Sequence, residues 1–148
     1  MNNLMSEEFA LVATVDPDVL TAATHTSDWV NMTTFQQIMA VVLAGTLGAS
    51  ATFDAKLEQA TDSSGTGAKD VSGKSITQLT QAGTDSDKQA IINLRADELD
   101  VANDFTHVRL SITVATASSD GAGVIFGRRA RYQPASDHDL ASVDEIVS

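Results

Sequence analysis

The sequence has no cysteine, and its 148 residues include one tryptophan and one tyrosine. Without thiols there are no disulfides, no thiolate metal sites and no cysteine nucleophile, which fits a chain made in a reducing cytoplasm. Aromatic residues are only 5% of the total, so a core has to be built from Val, Ile, Leu and Ala. A sugar-cleaving cleft normally presents more aromatic surface, which argues against a glycoside hydrolase. Basic residues are scarce too: nine Lys and Arg stand against twenty Asp and Glu, for a net charge of −11. Phosphate contacts need Lys and Arg, so neither nucleic acid nor an anionic membrane is an expected partner. The longest apolar run, Ile38–Ala44, is far short of the roughly 20 residues of a membrane span. Glu7 and Glu8 stand where a secretory signal would be basic.

What is present is alternation. From Phe105 to Thr116, Val108, Leu110, Ile112 and Val114 fall on one side of an extended chain, and His107, Arg109, Ser111 and Thr113 on the other. That is a strand with one dry and one wet face. Ala51, Phe53, Ala55 and Leu57 alternate with Thr52, Asp54, Lys56 and Glu58 in the same way. Phe9–Val15 reads as a strand ended by Asp16-Pro17, within an otherwise irregular arm over residues 1–27. Phe35, Ile38, Met39, Val42 and Leu43 fit helical spacing, with Thr34 and Gln37 placed for a capping box. Gly45 and Gly48 at its end, and the strand directly after, favour a buried strand instead.

Further along, Val71–Thr80 reads as a polar edge strand, Gln89–Leu94 as another strand, and Ala96–Asp104 as a short acidic turn or a single helical turn. Ser118–Gly121 predicts a hairpin turn into Gly123–Tyr132, where Val124, Phe126, Ala130 and Tyr132 share a face on which Arg128 is a misfit. About eight strands with turn residues between them predict an all-β, antiparallel, jelly-roll-like sandwich. The body spans 28–132, with extended arms at 1–27 and 133–148. In the last arm, Leu140, Val143, Ile146 and Val147 suit either a short amphipathic helix or an extended clamp on a neighbour.

The search for chemistry finds no catalytic, cofactor or metal site. Gly73-Lys74-Ser75 lacks the first glycine of a phosphate loop, since position 68 is Ala. His25, His107 and His138 are scattered, and none is spaced from another as metal ligands on a helix would be. Asp85 with Asp87, Asp97 to Asp104, and Asp137 with Asp139 do not match a calcium loop, and turn-forming aspartates explain them. Ser50 lacks the second glycine of a nucleophile elbow. Trp29 is either a core anchor or, with Tyr132, a stacking surface for a sugar. Arg128, Arg129 and Arg131 form the basic cluster, suited to an outward or inter-subunit row of ion pairs. The residues expected at an interface are Phe9, Leu11, Val12, Arg128, Arg129, Arg131, Leu140, Val143 and Ile146.

Asp28-Trp29-Val-Asn-Met32, the apolar run ending at Gly45, Ala51–Thr61, Gly65–Asp70, Ile91–Asp100 and Arg131-Tyr132 with Ala135-Ser-Asp137 together resemble a family of tailed-phage head-module virion proteins, with relatives in prophages and gene transfer agents. The resemblance covers roughly residues 28–137 and is carried by strands and turns rather than by catalytic residues. It implies a non-enzymatic decoration (cement) protein on the outer surface of the head, bound to the major capsid protein and homo-oligomeric, with a trimer as one arrangement. A head-spike base, or a carbohydrate- or receptor-binding module of the virion, is the alternative it leaves open.

Overall fold

In the computed structural model, which describes residues 3–148, one helical turn leads into ten strands. The turn is α1 (Met5–Glu8). The strands are β1 (Phe9–Leu20), β2 (Thr24–Thr26), β3 (Val30–Asn31), β4 (Phe35–Ala44), β5 (Thr52–Ala60), β6 (Lys69–Ser75), β7 (Leu79–Thr80), β8 (Gln89–Arg95), β9 (His107–Ala115) and β10 (Ser119–Ala130). They form two antiparallel sheets, ordered β1-β10-β4-β8 and β2-β9-β5-β6. β3 continues the track of β2 along β9, and β7 continues that of β6 along β5. Counted as eight tracks in sequence, the sheets therefore run 1-8-3-6 and 2-7-4-5. Interleaving the first and last tracks with the middle ones across two sheets is the jelly roll.

The alternation in β9 has the predicted consequence. Val108, Leu110 and Ile112 are 0% exposed and Val114 2%. They meet Val42, Leu94 and Ile125 from the other sheet in one continuous core. Large side chains on the second sheet need small ones opposite, and β10 supplies glycine. A Cβ on Gly123 would lie 2.3 Å from Leu110 Cδ2, and one on Gly121 would lie 2.8 Å from Phe53. The residues around Ile38 are strand rather than helix, because pairing with both β10 and β8 uses the backbone on each side of β4.

Three expectations change. Asp16-Pro17 does not end the first strand. β1 runs on to Leu20, because a bulge between Val15 and Asp18 leaves Pro17 outside the ladder on an edge strand, where its missing N–H costs nothing. Residues 9–26 consequently belong to the sandwich, as β1 and β2, rather than to an arm. The turn before β10 comes earlier than predicted, at Thr116–Ser118, with Thr116 at φ +73°. The face of β10 carrying Val124, Phe126 and Arg128 is the outer one, so Arg128 is no misfit. The inward side of that strand is Ile125 between glycines.

The C-terminal segment forms a short 3₁₀ turn, Ala135–His138, that buries Ala135 completely and sets the His138 ring edge-on to Phe35, 5.5 Å between centroids. Beyond it a turn at residues 141–142, closed by the Val143 amide donating to the Leu140 carbonyl, leads into chain with no helix or strand.

Candidate interaction face

An antiparallel sandwich ordinarily has polar outer faces. The β2-β9-β5-β6 sheet follows that rule. Glu58 accepts from Arg109 at 2.8 Å and lies 3.5 Å from Lys56, which in turn donates to Asp70 at 2.7 Å. The Asp70 carboxylate beside it raises the Lys56 pKa above the ordinary lysine value. Thr24 and Thr113 bond through their hydroxyls on the same face.

The β1-β10-β4-β8 sheet breaks the rule. Its strand register lines up outward rows: Phe9, Arg128, Gln37 and Arg95; Leu11, Phe126, Met39 and Asn93; Thr14, Val124, Val41 and Ile91; and then Ala122, Leu43 and Gln89. The middle rows are largely apolar. Ile91 is 60% exposed, Val19 on β1 58% and Leu43 41%. This explains the continuous hydrophobic run in β4: Ile38, Ala40, Val42 and Ala44 serve the core, while Met39, Val41 and Leu43 serve the outer surface.

Both chain ends cross the Phe9 end of this face. The Leu11 amide donates to Asp139 Oδ1 at 2.6 Å, and the Leu140 amide donates to the Leu11 carbonyl at 2.8 Å. These two bonds tie the C-terminal segment to the edge strand. An apolar groove of about 380 Å³ opens beside them, with Phe9, Leu11, Met39 and Phe126 as floor, Met5 on one wall, and Val143 and Ile146 on the other. Next to it lies a second, mixed depression that shares Phe9, Met39 and Phe126 and adds Lys74, Arg95 and Arg128. Lys74 pairs with Glu98 at 2.9 Å and Arg95 with Asp97 at 3.0 Å. The Arg95 amide, followed by Lys74, holds the Glu98 carboxyl below its ordinary pKa.

Of the nine residues expected at an interface, the structure brings Phe9, Leu11, Val143 and Ile146 into the groove, with Leu140 bonded at its edge and Arg128 beside it. Arg128 also stacks over the Phe9 ring at 5.3 Å and reaches Glu8 at 3.9 Å. Val12 instead faces the core margin, displaced by the bulge between Leu11 and Ala13. Arg129, at φ +54°, lies with Glu7 and Glu8 in a separate depression. The Arg131 amide donates to the Thr34 carbonyl. Met39, Val41, Leu43, Phe126 and Ile91 were missed as surface residues. The signal was present: an uninterrupted apolar run on a strand of an antiparallel sheet leaves one face apolar outside the core.

Trp29 is neither a core anchor nor an open platform. It is half-buried, with the Arg109 guanidinium 4.5 Å from its ring centre and the Gly65 turn against its edge. Tyr132 is open, at 71% exposure. Among the described residues, no three His, Cys, Asp or Glu side chains cluster closely enough to hold a metal ion.

No protein-family model matches this sequence, and no curated protein matches it either. Among solved structures it is similar to a chain of the T13 viral particle of infectious bursal disease virus, at 13% identity and a TM-score of 0.48, over 88% of this chain and 34% of that one. It is also similar to a chain of Broad Bean Stain Virus, at 11% identity and a TM-score of 0.45, over 88% of each. A third is the CBM22-1–GH10 portion of Clostridium thermocellum xylanase 10B, at 12% identity and a TM-score of 0.41, over 86% of this chain and 27% of that one. The present chain spans about a third of the length of the infectious bursal disease virus chains it matches. These likenesses concern the fold and extend no further.

Proposed function

We propose that the protein is a non-enzymatic structural component of a tailed-phage virion: a decoration (cement) protein that sits on the outer head surface, contacts the major capsid protein and bridges neighbouring subunits. The observation that carries this reading is the apolar outer face of the β1-β10-β4-β8 sheet, crossed by both chain ends. Contiguous exposed apolar surface rimmed by polar residues marks a protein contact. The motif resemblance supplies the kind of partner. Repeated weak contacts on a symmetric shell add up through multivalency, and a net charge of −11 keeps the protein from the packaged nucleic acid.

The test is occupancy on empty heads of the virus that encodes the chain. Val41→Asp and Ile91→Asp each place a charge on the outer face without touching the core. Occupancy is expected to fall at least tenfold while the urea midpoint of the free protein shifts little. Full occupancy with both variants sinks the reading.

A further inference from the structure

We propose that the apolar groove between the two chain ends receives the C-terminal tail of a second copy of this chain, so that copies associate by exchanging tails. This inference stands on the groove alone and holds whatever larger body the protein binds. The chain's own tail uses the groove incompletely. About 380 Å³ stays open over Phe9, Leu11, Met39 and Phe126, while Ile146 is 48% exposed and Val147 83%. After Asp139 the tail holds few backbone bonds, Leu140 to Leu11 and Val143 to Leu140. A strap held so weakly detaches at little cost.

Charge completes the argument. Residues 133–148 carry Asp137, Asp139, Asp144 and Glu145 and no Lys or Arg. At the adjoining end of the sheet Lys74, Arg95 and Arg128 already face Glu98, Asp97 and Glu8, which leaves Arg129 and Arg131, next along the chain, as the basic side chains there without an ion pair among the described residues. Among the described residues no ion pair joins Asp144 or Glu145 to any of these either. The tail carboxylates and the two arginines, Arg129 and Arg131, are complementary, and the chain's own tail does not realise that match. A tail arriving from another copy can lay its aliphatic side chains in the groove and its carboxylates against the arginines. Exchange of identical segments needs no newly evolved surface.

The absence of cysteine makes the test direct. Met39→Cys is introduced in one preparation and Ile146→Cys in another, and the two are mixed at micromolar concentration under mild oxidation. The expected product is a mixed disulfide dimer, formed at least tenfold more than either homodimer and suppressed by high salt. A double variant that closes only within its own chain, with no mixed dimer from the single variants, overturns the proposal. Light scattering on the unsubstituted protein provides a second measurement. A chain ending at residue 138 is expected to drop to monomer mass at concentrations where the full chain is oligomeric. Equal masses for the two chains overturn the proposal, while head occupancy, measured separately, reports on the functional reading.

Discussion

At the scale of single residues, one tight constraint lies where β10 passes beneath β9. Gly123 has no space for a side chain, because its Cβ would meet Leu110 2.3 Å away in a core with no slack. Gly123→Val is expected to destabilise the protein by about 1–3 kcal/mol through overpacking, and Leu110→Ala by about 2–5 kcal/mol through the cavity it leaves. Urea unfolding followed by the single Trp29 measures both. Ser111 makes the opposite case. It lies on the wet side of β9, yet it is 1% exposed and its hydroxyl has no hydrogen-bond partner among the described residues. Removing an unsatisfied buried hydroxyl relieves a desolvation cost. Ser111→Ala is therefore expected to leave stability unchanged or raise it by up to about 1 kcal/mol, and a clear loss in the same titration contradicts this account.

At the scale of elements, the edge strand and the acidic turn respond to different stresses. β1 pairs with β10 from Phe9 to Leu20, so removing residues 1–24 takes a whole track from the sandwich. That truncation is expected to yield unfolded or aggregated protein, whereas chains starting at residue 9 or ending at residue 138 keep the β-sheet circular-dichroism signal. The turn between β8 and β9 is held by charge. The Asp100 carboxylate accepts from Lys69 and then from Asn103, and these partners lower its pKa below the ordinary aspartate value. A carboxylate with a lowered folded-state pKa contributes stability above its unfolded pKa, and that contribution is lost as pH falls through the folded value. The stability difference between the native protein and Asp100→Asn is thus expected at pH 7 and is expected to shrink as the pH falls through the acid range. A difference that persists in acid argues against the charge explanation.

For the whole molecule, the two outer faces divide the work. One carries the ladder of Arg109, Glu58, Lys56 and Asp70 and stays in water. The other carries Met39, Val41, Phe126 and Ile91 and lies open beside both chain ends. Negative charge over the rest of the surface discourages indiscriminate association, leaving the apolar face as the place where contact gains most. Self-association through that face and the acidic tail is expected to weaken as salt screens the arginine–carboxylate attraction, which sedimentation at low and high salt measures.

Period-two alternation made β5 and β9 legible in the chain, because one buried face forces every second residue to be apolar. Composition alone excluded thiol chemistry and made a nucleic-acid partner unfavourable. The terminal apolar residues and the arginine cluster were visible as well, since nothing local explains them. The interleaved strand order lay beyond local reading. So did the run of β1 through Pro17, the glycine side of β10 as the inward one, and the assembly of Phe9, Leu11, Val143 and Ile146 into one groove. Each of these depends on pairing between residues far apart in the chain, from Met39 with Asn93 to Leu11 with Phe126 and with Leu140. A pattern of two or three residues records which face is dry; which strands lie next to each other is decided only when the two sheets close over a common core.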